Sequence, residues 1–282
     1  MLSDEKRIIL YDGAMGTMLQ KHGLKPGERP DAMNITSPLA VESVHRMYVE
    51  AGSDIVCTNT FGANAAALKG TGYSSAEIIE AAVAIAKRAC AGKAKVALDI
   101  GPTGALLEPI GDLEFDMAYE LFREQAVAGE RAGADFAAIE TMSDPEELRA
   151  AILAVKENTG LPVFATMTFD KTGRTYLGCT PERLAEIAES LGVAAVGVNC
   201  SIEPAGMYST VKRTAAATSL PLIVKLNAGL PDGETGLYSL GPAEFAQQMA
   251  PFMEIGARII GGCCGTTPEY IRELRKIFKC RM

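Results

Sequence analysis

The feature that most constrains this chain is an alternation. Short β-branched, apolar runs recur along it, each followed by a polar or glycine-rich stretch and then by a longer segment with helical periodicity. Eight such runs occur, at 7–11, 54–57, 95–99, 135–140, 162–166, 194–199, 222–226 and 258–262. Several helical segments begin with a cap-type residue and a proline, whose missing N–H costs nothing in a first turn: Ser37-Pro38, Asp144-Pro145, Thr180-Pro181 and Thr267-Pro268. Asp144 followed by Glu147 has the spacing of a capping box. Gly52, Gly133, Gly160, Gly192 and Gly256 stand where left-handed helix ends are expected.

Eight units in 282 residues average about 35 residues each, the size of a (β/α)8 TIM barrel without large insertions. An open, doubly wound α/β sheet shares the alternation. The count of eight favours the barrel, as do the lack of G-x-G-x-x-G after the first run and of any compositional break, and residues 1–282 are expected to form a single domain. The long polar connections 22–37, 101–113 and 228–241 are then expected on the C-terminal face, where barrel enzymes keep their chemistry.

Composition narrows the function classes. The net charge is -8 and no Lys/Arg run is present, which argues against nucleic acid as a partner. The longest stretch free of Asp, Glu, Lys and Arg runs only from 55 to 68, too short to span a membrane. Asp4 and Glu5 precede a short apolar run with no secretory pattern, so a cytoplasmic location is expected. Seven cysteines, an odd number, do not suggest a disulfide framework.

The carboxyl ends of the runs carry Asp12, Thr58-Asn59-Thr60, Asp99 with Gly101, Glu140, Thr166 with Thr168, Asn199-Cys200, Asn227 and Cys263-Cys264. Thiolates select zinc, copper(I) or iron–sulfur clusters, and three protein ligands with an open fourth position are the arrangement of a catalytic zinc. Cys200, Cys263 and Cys264 supply three; the clustered spacing of iron–sulfur ligands is absent. Consecutive side chains of a strand face opposite ways, so Cys263 and Cys264 can share an ion only beyond the strand's end, a turn the surrounding glycines permit. Cys57, Cys90, Cys179 and Cys280 read as packing residues. His22 and His45 lie at no strand end, which leaves a histidine-based hydrolase or a Ser–His or Cys–His nucleophile hard to build.

Three thiolates on Zn2+ leave a net charge of about -1, a poor Lewis acid for water but a good holder of an incoming thiol. Asp12 and Glu140 can pair with an ammonium group, and the backbone N–H groups of Gly13, Ala14, Met15 and Gly16 can receive a carboxylate. Together these describe a pocket for an amino acid bearing a thiol.

The runs Asp12-Gly13-Ala14-Met15-Gly16-Thr17, Thr58-Asn59-Thr60-Phe61-Gly62-Ala63-Asn64, Ile139-Glu140-Thr141, Gly197-Val198-Asn199-Cys200-Ser201, Asn227-Ala228-Gly229-Leu230-Pro231 and Gly261-Gly262-Cys263-Cys264-Gly265-Thr266-Thr267-Pro268 resemble the homocysteine S-methyltransferase family over nearly the whole chain. The resemblance implies a (β/α)8 barrel with zinc on Cys200, Cys263 and Cys264. It also implies homocysteine bound to that zinc through sulfur, its amino group near Asp12 and Glu140. The opening motifs look more like the N-terminal, homocysteine-binding module of cobalamin-dependent methionine synthase than like the betaine-dependent branch. In the former branch an asparagine matching Asn227 fills the fourth zinc position until the substrate thiol displaces it. Leu226 departs from the family pattern, where proline more often precedes this block.

No Asp-x-His-x-x-Gly corrinoid motif and no second barrel follows, so the expected methyl donor is a separate methyl-corrinoid (methylcobalamin-type) protein docking on the C-terminal face, or else the chain is an excised module. Two alternatives remain open at this stage. One keeps homocysteine but takes the methyl from S-methylmethionine or S-adenosylmethionine; the other is a noncatalytic zinc module braced by its thiolates.

Overall fold

The computed structural model describes residues 7–233 and 235–279, so Asp4, Glu5 and Cys280 lie outside the described residues. Its strands are β1 (Ile9–Leu10), β2 (Ile55–Cys57), β3 (Lys95–Ile100), β4 (Phe136–Met142), β5 (Val163–Met167), β6 (Ala195–Cys200), β7 (Leu222–Leu226) and β8 (Ala257–Gly262). All pair in parallel in the order β1-β8-β7-β6-β5-β4-β3-β2. Among the described residues β1 and β2 form no strand ladder, and single bonds stitch that seam instead. Asp54 N–H donates to Leu10 C=O (2.7 Å), Leu10 N–H to Asp54 Oδ2 (3.0 Å) and Cys57 N–H to Asp12 Oδ2 (2.8 Å). Two carboxylates thus satisfy backbone groups that the short first strand leaves over. The sheet closes into the expected (β/α)8 barrel.

The helices are α1 (Met15–Lys21), α2 (Met33–Thr36), α3 (Pro38–Ala51), α4 (Ser75–Cys90), α5 (Phe115–Ala132), α6 (Pro145–Asn158), α7 (Pro181–Ser190), α8 (Pro204–Ala216), α9 (Pro242–Met249) and α10 (Pro268–Lys279), with a 3-10 turn at Ala250–Met253. From α3 to α10 one helix follows each strand, while α1 and α2 are extra turns inside the first connection. Strand residues divide by alternation. One set, including Ile9, Ile55, Phe136, Phe164 and Ile259, packs as a separate cluster within the barrel, and the other packs against the helices.

Prolines stand at the starts of α3, α6, α7 and α10 as expected, and Gly52, Gly133, Gly192 and Gly256 take positive φ. Three local expectations are corrected. Gly160 does not close α6, whose end is Thr159 in extended conformation. Ser37 makes no side-chain cap on α3. Asp144 does cap α6, accepting from Glu146 N–H (2.8 Å), but Glu147 does not complete a box. Its buried carboxylate instead accepts from Thr103 N–H (2.7 Å) and Oγ1 (2.6 Å), since loop donors left without water compete better for it than an exposed helix start. A reciprocal capping box does form at Ser74 and Glu77 on α4. Among the described residues no helix is long and apolar enough to cross a membrane.

His45 of α3 is fully buried, and neither ring nitrogen has a hydrogen-bond partner among the described residues. Burial pushes its pKa from 6.5 down to about 4, against a smaller upward pull from Glu42. The unfolded chain therefore takes up this proton first, so stability is whole above the unfolded pKa and declines as pH falls toward the folded one. The full penalty is about 3 kcal/mol. Denaturant unfolding at about pH 7 and about pH 4 should show His45→Leu losing less stability on acidification than the parent protein by roughly that amount; equal losses would contradict this role.

Candidate functional site

At the end of β6 the backbone turns sharply, with Cys200 at φ 55° and Ser201 at φ 69°. Left-handed backbone at two non-glycine residues in succession is unfavourable and has to be held by its surroundings. Ser201 Oγ accepts from Phe169 N–H (2.9 Å) and approaches Thr168 Oγ1 (3.2 Å), while Asn227 Nδ2 donates to Ser201 C=O (2.9 Å). The turn swings the Cys200 thiol toward the end of β8.

There the strand has ended at Gly262, as the adjacent pair of cysteines requires. Cys263 N–H donates to Leu226 C=O (2.8 Å), Cys264 N–H to Asn227 Oδ1 (3.0 Å) and Ala228 N–H to Cys264 C=O (3.0 Å). The glycines act differently from one another. Only Gly265 uses a positive φ, at +80°; a Cβ on Gly261 would lie 2.5 Å from the Cβ of Tyr11, and one on Gly262 2.3 Å from Thr266 Oγ1. Those two are glycine for space rather than for conformation.

The outcome is that the Sγ atoms of Cys200, Cys263 and Cys264 all lie within 4.8 Å of one another, with Cys200 and Cys264 3.9 Å apart. Tetrahedral zinc with Zn–S bonds of about 2.3 Å needs sulfurs about 3.8 Å apart. The donor set therefore fits the ion in number, softness and spacing. Hydrogen bonds from Cys263 and Cys264 pull the Cys200 thiol down to about 3, and its thiolate in turn pushes Cys264 up to about 11 and Cys263 upward as well. Without a cation the three sulfurs share protons; a soft divalent ion would replace them.

Beside the thiols is a cavity of about 260 Å³ lined by Asp12, residues 13–17, Asp99, Glu140, Thr141, Lys225 and the three cysteines, among others. That is slightly below the range of drug-sized sites, which suits a small occupant. A larger depression of about 450 Å³ between α4 and α5 is lined by Met117, Val127 and exposed residues such as Glu120, Arg123 and Arg131, and holds none of these groups.

The cavity wall is strongly electrostatic. Asp12 is buried, with Oδ2 on Cys57 N–H and Oδ1 without a partner among the described residues. Burial raises its pKa to about 7, although Lys225 and the Cys57 N–H pull it down. Glu140 stands where β4 shifts register against β5 between Ile139 and Met142, and Thr141 follows at φ 62°. Asn199 holds this bend, its Oδ1 accepting from Thr141 N–H (2.7 Å) and Thr166 Oγ1 (2.8 Å) while its Nδ2 donates to Thr141 Oγ1 (2.7 Å). The bend aims Glu140 into the barrel, where Oε2 accepts from buried Lys225 Nζ at 2.5 Å.

Lys225 escaped the sequence reading. It also donates toward Cys57 Sγ (3.6 Å) and sits 4.3 Å from the centre of the Tyr11 ring. The available signal was a lone cation inside the apolar run Leu222-Ile223-Val224-Lys225-Leu226. Tyr238 escaped as well. Its ring lies against the bare face of Gly265, where a Cβ would come within 2.2 Å, and burial plus the neighbouring cysteines raise its phenol to about 12. Nothing in the local sequence marks it.

The other expected residues are placed as follows. Residues 13–16 line the cavity at the start of α1, a first turn with no side-chain cap. The Ala14 N–H is already committed to Thr266 Oγ1 (3.2 Å), and Tyr48 Oη donates to Ala14 C=O (2.9 Å). Asn227 uses both ends of its amide to join the β6 and β8 turns. Thr58 and Thr60 bond each other (2.7 Å) and the backbone of Asp99. Cys90 and Cys179 are buried as expected, whereas Cys57, also buried, lines the cavity and faces Lys225 and Glu140.

Fold and site together define a (β/α)8 barrel with three thiols spaced to hold a soft metal ion beside a carboxylate-lined pocket at its C-terminal face. A family model described as homocysteine S-methyltransferase matches residues 9–278, and the chain belongs to that family. It is similar to the methionine synthases of Mycobacterium leprae (35% identical) and Mycobacterium tuberculosis (36% identical), each over 95% of this chain. The chain spans 24% of the length of each of these relatives. In structure it is similar to the homocysteine methyltransferase MmuM from Escherichia coli, 24% identical, in the oxidized form (TM-score 0.82, covering 98% of this chain and 97% of that one) and the metallated form (TM-score 0.80, 97% and 98%). These structures support the barrel fold.

Removing one member of a buried ion pair strands the other, at a cost of about 3–5 kcal/mol, whereas replacing both costs much less. Lys225→Met should therefore lower stability by about that amount, and Lys225→Met combined with Glu140→Gln should be more stable than Lys225→Met alone. Denaturant unfolding of the metal-free proteins reads this directly; simply additive losses would show that the pair is not coupled.

Proposed function

We propose that this chain, read as one homocysteine- and zinc-binding barrel unit over residues 1–282, methylates the thiol of homocysteine to give methionine. The observation that carries the reading is the meeting, in one cavity, of three thiols spaced for a metal ion with carboxylate oxygens that have no partner among the described residues. The name of the mycobacterial relatives supports methionine as the product. Zn2+ held by Cys200, Cys263 and Cys264 would, when bound, let an incoming thiol act as a thiolate near neutral pH.

The chain's own residues do the positioning. Asp12 Oδ1 and the Glu140 oxygen not engaged by Lys225 accept from the substrate ammonium. The N–H groups of Gly13, Met15 and Gly16 receive its carboxylate, while Ala14, already bonded to Thr266, shapes the turn. Asn227 Oδ1 keeps one lone pair beyond its bond to Cys264 N–H and would be available to the ion as a weak fourth donor. The sulfur then attacks an electrophilic methyl group in line. Its S–H proton has gone to solvent before transfer, the S–CH3 bond forms as the bond from methyl to donor breaks with its electron pair staying on the donor, and no general base is needed at that moment.

The motifs resembling the cobalamin-dependent branch support a methyl-corrinoid donor carried by a separate protein that meets the C-terminal face. A net charge of -8 supports small-molecule and protein partners over nucleic acid, and six free cysteines among the described residues suit the reducing cytoplasm.

Purified protein given homocysteine should form methionine with methylcobalamin and not with S-methylmethionine or S-adenosylmethionine. It should hold about one zinc per chain, and Cys263→Ala should lose both zinc and turnover. Efficient turnover with a sulfonium donor would remove the corrinoid reading. Retention of zinc by Cys263→Ala, or activity without metal, would remove the metal site.

A further inference from the structure

We propose that Asp99 is a third acidic contact for the substrate's ammonium group and makes the pocket select a thiol with an amine over the same thiol without one. This rests on the amino-thiol reading above and adds to it a residue that the motifs leave unassigned.

Asp99 lies on β3 in register with Ala138 of β4, so it shares the barrel's inner face with Glu140 one strand away. Its backbone is held on both sides: its N–H donates to Thr58 Oγ1 (3.0 Å) and its C=O accepts from Thr60 Oγ1 (2.7 Å). The side chain is treated quite differently. It is 8% exposed and lines the cavity, yet its buried Oδ1 has no hydrogen-bond partner among the described residues. Such an oxygen carries an unmet demand for a donor, greater when the group is charged.

Charge counting identifies what is missing. The cavity wall holds three carboxylates, Asp12, Asp99 and Glu140, and one cation, Lys225, which is committed to Glu140 at 2.5 Å. Among the described residues, Asp12 Oδ1 and Asp99 Oδ1 are the two buried carboxylate oxygens left without a donor. A water molecule could hydrogen-bond to them but would bring no positive charge to favour their ionised forms. A primary ammonium brings three donors and a positive charge to the same place. Burial and the proximity of Glu140 push the Asp99 pKa well up, so a cation reaching this oxygen would favour its ionised form.

The test is calorimetric binding to the zinc-loaded protein of homocysteine and of 4-sulfanylbutanoate, the same thiol acid without the amine. The parent protein should favour homocysteine clearly. Asp99→Asn and Asp99→Ala should weaken homocysteine about 10- to 100-fold while changing 4-sulfanylbutanoate by less than about 3-fold, with zinc content unchanged. Equal weakening of both ligands, or of neither, overturns the assignment. So does a parent protein with no preference between them, a result that needs no variant to fold. A parent protein that binds neither thiol overturns the homocysteine reading along with this one, whereas undiminished homocysteine binding by the Asp99 variants overturns this one alone.

Discussion

Three sulfur atoms within 4.8 Å of one another cannot all be ionised unless a cation sits among them. That constraint organises the C-terminal face of this barrel. Bringing Cys200 to Cys263 and Cys264 requires β6 to end in two left-handed residues and β8 to end one residue before its first cysteine. Asn227, at the end of the strand between them, binds both turns through one amide. The strain at Cys200 and Ser201 is thus offset by bonds from two neighbouring segments, at the ends of β5 and β7.

The carboxylate wall follows a second rule, that buried charge needs a partner. Lys225 meets this need for Glu140, and the Cys57 N–H meets half of it for Asp12. The remainder is left open in a cavity of about 260 Å³ next to the thiols. Three thiols able to hold a soft metal and an unmet demand for a cation, lining one cavity, are what a small amino acid bearing a thiol would satisfy together. The seam between β1 and β2 belongs to the same economy of groups, because Asp12 both closes the barrel and faces the pocket.

Much of this was legible in the sequence, for identifiable reasons. Barrel strands covered on both faces are continuous apolar runs, so all eight were recognisable, and only β1 is much shorter than its run, because Asp54 and Asp12 replace ladder bonds there. The three cysteines were legible because their strand ends place them at one rim. What was not legible depends on contacts between distant segments. Glu147 has capping-box spacing, but Thr103 from another loop claims its carboxylate. Glu140 reads as a free acid until Lys225, three strands away, is seen beside it. Asp99 lay at a strand end in the sequence, but only the structure shows an oxygen there with nothing to bind. Tyr238 reaches the thiols through the packing of its loop onto Gly265, which no local pattern encodes.

The most direct test of the account is zinc-edge X-ray absorption on the metal-loaded protein before and after homocysteine. An open catalytic site predicts three sulfurs and one lighter donor at the start, and four sulfurs once homocysteine is bound. A ligand set that homocysteine leaves unchanged would contradict the account and make the three cysteines a structural brace.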